Sequence, residues 1–258
     1  MEDYPQTVLE FEERFATEEA CRQYLFDLRW PDGFRCPRCS QSKAWPTKRG
    51  LYRCCHCDLQ TSVTAGTIFQ DARKPLRLWF RAMWYVVSQK NGVSAMGLKR
   101  VLGLGSYETA WIWLHKLRSA MVRPGRDRLS GTVEVDETYI GGTKSGKRGR
   151  GATGKALVVV AAEDKDNRIG RIRLCRVQDA SDESLTVAVI ESLEPGSIVR
   201  TDGWSGYASL ASKGHVHTVV RQSDHVGENL LSLVNRVASL LKRWLQGTHQ
   251  GAIRTSHL

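Results

Sequence analysis

Acidic side chains are concentrated in one predicted strand of this 258-residue chain, where a carboxylate needs a compensating partner unless it is solvated. Residues 132–142 alternate apolar and polar side chains and close on Gly-Gly, which predicts a strand followed by a turn. The two-residue period places Glu134 and Asp136 on one face of the strand and Glu137 on the other. Taken alone, the stretch is equally consistent with an exposed edge strand whose acids are solvated.

A second acid, Asp202, ends the strand predicted at residues 197–202, and Gly203 lets the backbone turn away from it. If this strand neighbours that of Asp136, the two carboxylates converge at one end of a sheet. They then repel one another unless a divalent cation neutralises them. Mg²⁺ (or Mn²⁺) is the expected cation because it takes oxygen ligands and binds substrate phosphates. Such a site activates a water or a hydroxyl and clamps the leaving oxygen of an in-line displacement.

The last predicted helix offers two further polar groups. Its apolar residues recur with a strong helical period: Leu230, Leu233, Val234, Val237, Leu240, Leu241 and Trp244. Asn235 and Lys242 are seven residues apart, two turns less about 20°, so they project from one face together with Ser239. Asn235 can give a neutral oxygen to a metal, and Lys242 can bind a phosphate. A solvated polar stripe is the alternative interpretation.

Cysteines form a second kind of candidate site near the N-terminus. Two C-x-x-C knuckles are separated by fourteen residues, a spacing that suits a closed, structural zinc site. The expected ligands are Cys36, Cys39, Cys54 and Cys57. Cys55 or His56 could substitute only by breaking the knuckle spacing. Basic residues surround the knuckles, which suits a ribbon that faces DNA, although a solvated face is the alternative.

Two further segments are candidates for contacting nucleic acid. Residues 95–102 and 107–121 are predicted helices joined by a short Gly-containing turn, the pattern of a helix-turn-helix, although any helical hairpin is similar. The second helix would approach the major groove with Lys116 and Arg118. Residues 144–155 are Gly-rich but lack the order of a nucleotide-binding loop. We expect this loop to grip a phosphate backbone through Lys144, Lys147, Arg148, Arg150 and Lys155.

The composition supports a nucleic-acid partner. The net charge of +11 suggests a polyanion, because Lys and Arg neutralise phosphates and release counterions, although a merely basic protein is the alternative. The chain contains no apolar run of 18 or more residues and begins with acidic residues rather than a signal peptide. We therefore expect a cytoplasmic, nucleoid-associated protein with no membrane partner. In that reducing compartment, seven cysteines favour metal binding over disulfides.

These elements predict three segments. Residues 1–71 hold an N-terminal helix, capped by Thr17, and the zinc ribbon; residues 72–126 hold the helix-turn-helix region; residues 127–258 hold the acidic strands. In the last segment, three antiparallel-type strands precede a helix capped by Ser181 and a strand that ends in an acid. This element order predicts an α/β fold of the ribonuclease H-like kind, a mixed sheet with flanking helices.

Three motifs carry a resemblance to a known family. V-E-V-D-E-T-Y-I-G-G, T-D-G-W-S-G-Y at 201–207 and S-L-L-K-R-W-L-Q-G-T-H at 239–249 resemble the IS1595-family (ISXO2-like) insertion-sequence transposases, and the cysteine ribbon and helix-turn-helix are similar too. The resemblance implies a DDE-type recombinase whose third acid is often replaced by Asn or His, with Lys seven residues later. The matching positions are Asp136, Asp202, Asn235 and Lys242. Glu228 is an alternative third acid, but it lies outside that spacing.

The resemblance implies a transposase that binds the terminal inverted repeats of its element and joins them to target DNA. Mg²⁺ on Asp136, Asp202 and Asn235 would support cleavage and strand transfer, and synapsis of two DNA ends implies a homo-oligomer. Family members usually continue past His257-Leu258 with a further helix, so we expect a C-terminally truncated domain. The alternatives are an inactive remnant that only binds DNA through its ribbon and helix-turn-helix, and a metal-dependent nuclease.

Overall fold

A computed structural model describes residues 4–122, 125–141, 155–220 and 230–249 of the chain. The chain divides into two compact units. The N-terminal unit comprises Met1–Ser88 and Ala95–Val122, and the C-terminal unit comprises Gln89–Ser94 and Arg123–Leu258. The three-segment division drawn from the sequence stays a prediction.

The N-terminal unit combines helices with a small antiparallel sheet. Its helices are α1 (Val8–Arg14), α2 (Glu18–Arg29), α3 (Leu76–Ser88), α4 (Ala95–Leu102) and α5 (Tyr107–Met121). Its sheet has the order β1 (Ala44–Pro46), β2 (Tyr52–Cys54), β3 (Gln60–Thr61). The predicted bounds of α4 and α5 are confirmed, and Thr17 caps α2 by accepting a hydrogen bond from the Ala20 amide.

Aromatic side chains build the core of the N-terminal unit. Trp30 and Phe34 pack beside the cysteines and Val63, and the rings of Trp79 and Trp113 stack with centroids 3.8 Å apart. Helix α3 begins where the carboxylate of Glu18 accepts hydrogen bonds from the amides of Leu76 and Arg77, at 2.9 and 3.1 Å. These first-turn amides have no partner within their own helix, so a carboxylate there stabilises the helix start.

The C-terminal unit is built on a mixed five-stranded sheet with the order β6-β5-β4-β7-β8. The strands are β4 (Thr132–Ile140), β5 (Ala156–Lys165), β6 (Arg168–Val177), β7 (Ile198–Thr201) and β8 (Val216–Val219). Strand β4 pairs antiparallel with β5 and parallel with β7, while β5–β6 is antiparallel and β7–β8 is parallel. The predicted α/β class and the order of the first strands are confirmed.

Helices cover both faces of this sheet. Helix α6 (Asp182–Ser192), capped by Ser181, and a 3₁₀ helix (Ser205–Lys213) pack on the face of Val133 and Val135. Helix α7 (Ser232–His249) packs on the opposite face, over Val158 and Val160. No helix within the described ranges is long and apolar enough to cross a membrane.

The register of the parallel pair decides where the acids lie. Glu134 of β4 is the partner of Arg200 in β7, which ends one residue later at Thr201. Two residues after this pair, the segment that contains β4 carries Asp136 and the segment that contains β7 carries Asp202. Both acids therefore lie at the carboxyl end of β7, on neighbouring segments of the sheet.

The end of α7 is packed closely against the segment Gln89–Ser94, which belongs to the same unit. A Cβ atom on Gly247 would overlap the carbonyl oxygen of Asn91, and one on Gly92 would overlap the carbonyl oxygen of Trp244. Gly92 also has a φ of +73°, a conformation that other residues rarely adopt. This close packing therefore requires glycine at two positions, Gly247 in α7 and Gly92 in the facing segment.

Candidate metal centre and active site

The four cysteines of the knuckles lie together in the N-terminal unit. The Sγ atoms of Cys36 and Cys57 are 3.6 Å apart, and those of Cys39 and Cys54 are 3.5 Å apart. Zinc–sulfur bonds of about 2.3 Å at tetrahedral angles separate neighbouring sulfurs by about 3.8 Å, so the cluster fits one zinc ion. Among the described residues, it is the one group of three or more Cys, His, Asp or Glu ligand atoms within 4.8 Å of one another.

The two knuckles repeat the same backbone turn. The carbonyl of Cys36 accepts a hydrogen bond from the Ser40 amide at 2.9 Å, and that of Cys54 accepts one from the Asp58 amide at 3.2 Å. Ser40 and Asp58 both close their turns in the left-handed conformation, each with a φ of 59°. Ligand placement is therefore set by two local turns, as the spacing predicts.

The electrostatics of the cluster favour a bound cation. Amide hydrogen bonds from Cys57 and His56 lower the pKa of Cys54. At Cys39 the Gln41 amide favours the thiolate, but burial and the neighbouring sulfurs raise the pKa to about 12. Several thiolates cannot coexist here without a compensating charge, and a divalent metal supplies that charge.

A cleft in the C-terminal unit gathers residues from β4 and α7 on one face of the sheet. Its volume is about 220 Å³. It is lined by Asp136, Glu137 and Thr138 of β4, by Val160 of β5, and by Val234, Asn235, Ala238, Ser239 and Lys242 of α7. The cleft thus brings together three of the four predicted catalytic residues, Asp136, Asn235 and Lys242, while Glu134 does not line it. Their chemical roles stay predictions.

Asp202 follows β7, the parallel neighbour of β4, and does not line the cleft. It is exposed just after the strand, and its Oδ1 accepts a hydrogen bond from the Trp204 amide at 2.9 Å. Burial raises the pKa of the Tyr207 phenol, and the negative charges of Glu137, Asp136 and Asp202 raise it further.

Tyr207 lies behind the cleft and was not predicted from the sequence as a functional residue. Its side chain is fully buried, and its hydroxyl donates a hydrogen bond to Glu137 Oε2 at 2.8 Å. Glu137 points to the face opposite Asp136, as the strand period predicts, yet it still borders the cleft. The position of Tyr207 in the T-D-G-W-S-G-Y run was the available signal.

The residues predicted to contact DNA have different surroundings. Lys116 Nζ donates a hydrogen bond to the Ile68 carbonyl at 3.2 Å and lies 6.0 Å from the Trp79 ring centroid. Arg118 is half-buried, and burial lowers its pKa. Lys155 directly precedes β5. The other cations of the basic loop, Lys144, Lys147, Arg148 and Arg150, lie outside the described residues, as does Glu228.

Comparisons with known proteins agree with this architecture. Residues 128–258 match the family model of the ISXO2-like transposase domain, and residues 16–60 match that of the transposase zinc-ribbon domain. The chain is also similar to an uncharacterized protein in the transposable element ISH50 of Halobacterium salinarum. The two are 25% identical over 259 residues, which cover 92% of this chain and 86% of that protein.

Proposed function

The chain belongs to the ISXO2-like (IS1595) transposase family, and on this premise we propose that it cleaves and joins DNA as the transposase of an insertion sequence. The observation that carries the proposal is the convergence of Asp136, Asn235 and Lys242 in one cleft, with Asp202 two residues beyond the last β4–β7 pair. The sheet order and strand directions support a ribonuclease H-like fold for the C-terminal unit.

The donor set of the cleft suits a hard cation. Carboxylate and amide oxygens are the ligands that Mg²⁺ or Mn²⁺ prefers, and Asp136, Asp202 and Asn235 would hold the ion. When bound, it supplies Lewis-acid activation of a water or of a 3′-hydroxyl and stabilises the leaving oxygen. An amide as the third ligand leaves the site with less negative charge than three carboxylates would, which favours approach of a phosphodiester.

The remaining residues of the cleft would orient the DNA strand. Lys242 lies two helical turns after Asn235, where its ammonium would bind a phosphate oxygen next to the scissile bond. Val160, Val234 and Ala238 supply an apolar lining that limits the water in contact with the carboxylates. Asp136 Oδ1 accepts a hydrogen bond from the Glu137 amide at 2.8 Å, which orients its carboxylate.

The N-terminal unit would bind the ends of the element. Its support is the four-cysteine cluster in a transposase zinc-ribbon domain, the α4–α5 hairpin, and the net charge of +11 for the whole chain. The partners are double-stranded DNA, as terminal inverted repeats and target, and a second copy of the chain for synapsis. Because Lys116 and Arg118 are half-buried, contacts with DNA through them would require their side chains to move outward.

The proposal is tested with the purified chain, linear DNA carrying the ends of its own element, and Mg²⁺ or Mn²⁺. We expect 3′-end nicking and strand transfer that Asp136→Ala abolishes while DNA binding persists. Glu183→Ala, which changes an exposed acid of α6, is the matched control and should keep wild-type activity. Binding without cleavage, unaltered by Asp136→Ala, would instead identify a DNA-binding remnant. Cleavage without joining would identify a nuclease.

A further inference from the structure

Glu134 is a buried carboxylate that the cleft does not use. Only 2% of its surface is exposed, although it lies two residues before Asp136 on the same strand face. A carboxylate at this depth is costly unless hydrogen bonds or a countercharge compensate it. Its partners therefore reveal why an acid occupies this position.

The main partner is the first turn of α7. Glu134 Oε2 accepts hydrogen bonds from the amides of Leu233 at 2.9 Å and Val234 at 3.1 Å. These amides have no acceptor within the helix, and the helix dipole is positive at this end. One carboxylate thus satisfies two amides, and charge-assisted bonds of this kind are stronger than neutral ones. Glu18 anchors α3 in the same way in the N-terminal unit.

The second partner belongs to β7. Arg200 Nη1 is 3.9 Å from Glu134 Oε1 and 3.7 Å from Asp164 Oδ2. Arg200 is also the residue opposite Glu134 in the β4–β7 register. The guanidinium therefore balances the buried negative charge and links it to β7, the strand that Asp202 follows.

Each of these contacts lies next to a candidate catalytic residue. Asp136 follows Glu134 by two residues, Asp202 follows Arg200 by two, and Asn235 follows Val234 directly. We propose that Glu134 is a positioning residue that sets α7 and β7 relative to β4, and thereby sets the spacing of the metal-binding oxygens. This inference rests on the proposed function, since it assigns Glu134 a role in the same site.

The same sheet offers a matched control. Glu163 is fully buried in β5, where it accepts hydrogen bonds from the amides of Ser130 and Arg171, both at 3.0 Å, and pairs with the Arg171 guanidinium. Neither partner belongs to α7 or β7. Glu163→Ala therefore removes a comparable buried carboxylate from the sheet without removing a contact to α7 or β7.

The experiment compares Glu134→Ala, Glu134→Gln and Glu163→Ala in the full chain. Amide hydrogen exchange in the first turn of α7 reports anchoring without any need for activity. Calorimetric Mn²⁺ affinity and the rate of cleavage of DNA ends report the cleft. For Glu134→Ala we expect exchange at Leu233 and Val234 to rise, and metal affinity and cleavage rate to fall, on the order of 10–100-fold. Glu134→Gln should recover part of each loss, because its amide oxygen still accepts hydrogen bonds.

Glu163→Ala should reduce thermal stability but keep α7 exchange, Mn²⁺ affinity and cleavage rate within about threefold of wild type, since Glu163 and Glu134 share no hydrogen-bond partner among the described residues. Unchanged α7 exchange in Glu134→Ala would overturn the proposal. Equal losses of metal affinity in Glu134→Ala and Glu163→Ala would overturn it too, because the effect would then reflect stability alone.

If Glu134→Ala does not fold, Glu134→Gln is compared with Glu163→Ala in the same way. A wild-type chain that leaves DNA uncut would contradict the proposed function, while exchange and Mn²⁺ affinity still decide the role of Glu134.

Discussion

The two candidate sites of this chain are assembled in opposite ways. The cysteine site takes all its ligands from residues 36–57, through two copies of one tight turn. The cleft takes its residues from β4, β5 and α7, between positions 136 and 242 of the sequence, and Asp202 follows the neighbouring strand β7. One site is specified by local backbone geometry, and the other by sheet register and helix placement.

This difference determines what each site depends on. A local site of four thiols is held together mainly by its metal, since ribbons of this kind have little core of their own. A site assembled from distant segments depends on groups that never enter it, such as Glu134 beneath α7 and Tyr207 behind Glu137. Removal of metal should therefore damage the first site most, and removal of remote buried groups should damage the second.

The largest effect is expected from loss of zinc at the cysteine site. Cys54→Ser, or removal of zinc by a chelator, should unfold the ribbon, because zinc contributes on the order of 10 kcal/mol to such folds. The Trp30 ring packs beside the cysteines, so tryptophan fluorescence should report the loss, while hydrogen exchange should show β4 and β5 still protected. Cys55→Ser is the control, since Cys55 is exposed and lies outside the cluster. Equal zinc loss in both variants would contradict the ligand assignment.

A smaller effect, of about 2 kcal/mol, is expected for Glu163→Gln, which weakens a buried ion pair with a half-exposed Arg171. Hydrogen bonds from Arg171 and the Ser130 amide outweigh burial and lower the pKa of Glu163 from 4.5 to about 2. The depressed pKa means that this stabilisation is fully present above pH 4.5 and is lost as the pH falls towards 2. Denaturant unfolding between pH 7 and 3 should therefore show the difference between wild type and Glu163→Gln shrinking with acidity.

The control for this pH dependence is Glu183→Gln, which changes an exposed acid in the first turn of α6 and should shift stability little at any pH. A wild-type advantage over Glu163→Gln that stays constant from pH 7 to 3 would show that the carboxylate charge contributes nothing.

The sequence was most informative where structure is local. The bounds of α4 and α5, the caps at Thr17 and Ser181, and the choice of ligands among the clustered cysteines all depend on neighbours within a few residues. The 3₁₀ helix after Asp202 and the strand β8 were not predicted. Their apolar stretches are too short for a period to distinguish helix from strand, although Leu210 of the 3₁₀ helix is fully buried in the core.

Contacts between distant segments explain what the sequence left open in the cleft. The convergence of Asp136 with Asp202 was conditional on their strands being neighbours, and the β4–β7 pairing meets that condition. The anchoring of α7 by Glu134, and the contact of Lys116 with the Ile68 carbonyl, join residues that no local pattern relates. The charges of Glu134 and Lys116 therefore indicate that each side chain has a polar partner, but the sequence does not identify that partner.

The smallest effect is expected for Tyr207→Phe, which removes one hydroxyl from behind the cleft. Loss of its 2.8 Å hydrogen bond to Glu137 should reduce stability by about 1 kcal/mol and slow DNA cleavage severalfold, because one border of the cleft becomes less fixed. Burial and the nearby acids raise the pKa of Tyr207, whereas the unfolded phenol ionises near pH 10. Wild type should therefore lose stability as the pH rises above 10, and Tyr207→Phe should lack this loss.

Tyr52→Phe provides the matched change in the N-terminal unit, where Tyr52 packs among Phe26, Trp30 and Phe34 beside the cysteines. Because the metal and the local turns hold that site, loss of the Tyr52 hydroxyl should alter zinc affinity by less than about threefold, within the usual range of surface changes. Denaturant unfolding and zinc titration of both variants measure the contrast. If Tyr52→Phe weakens zinc binding as much as Tyr207→Phe slows cleavage, the cysteine site also depends on remote packing, and the distinction between local and assembled sites does not hold for this chain.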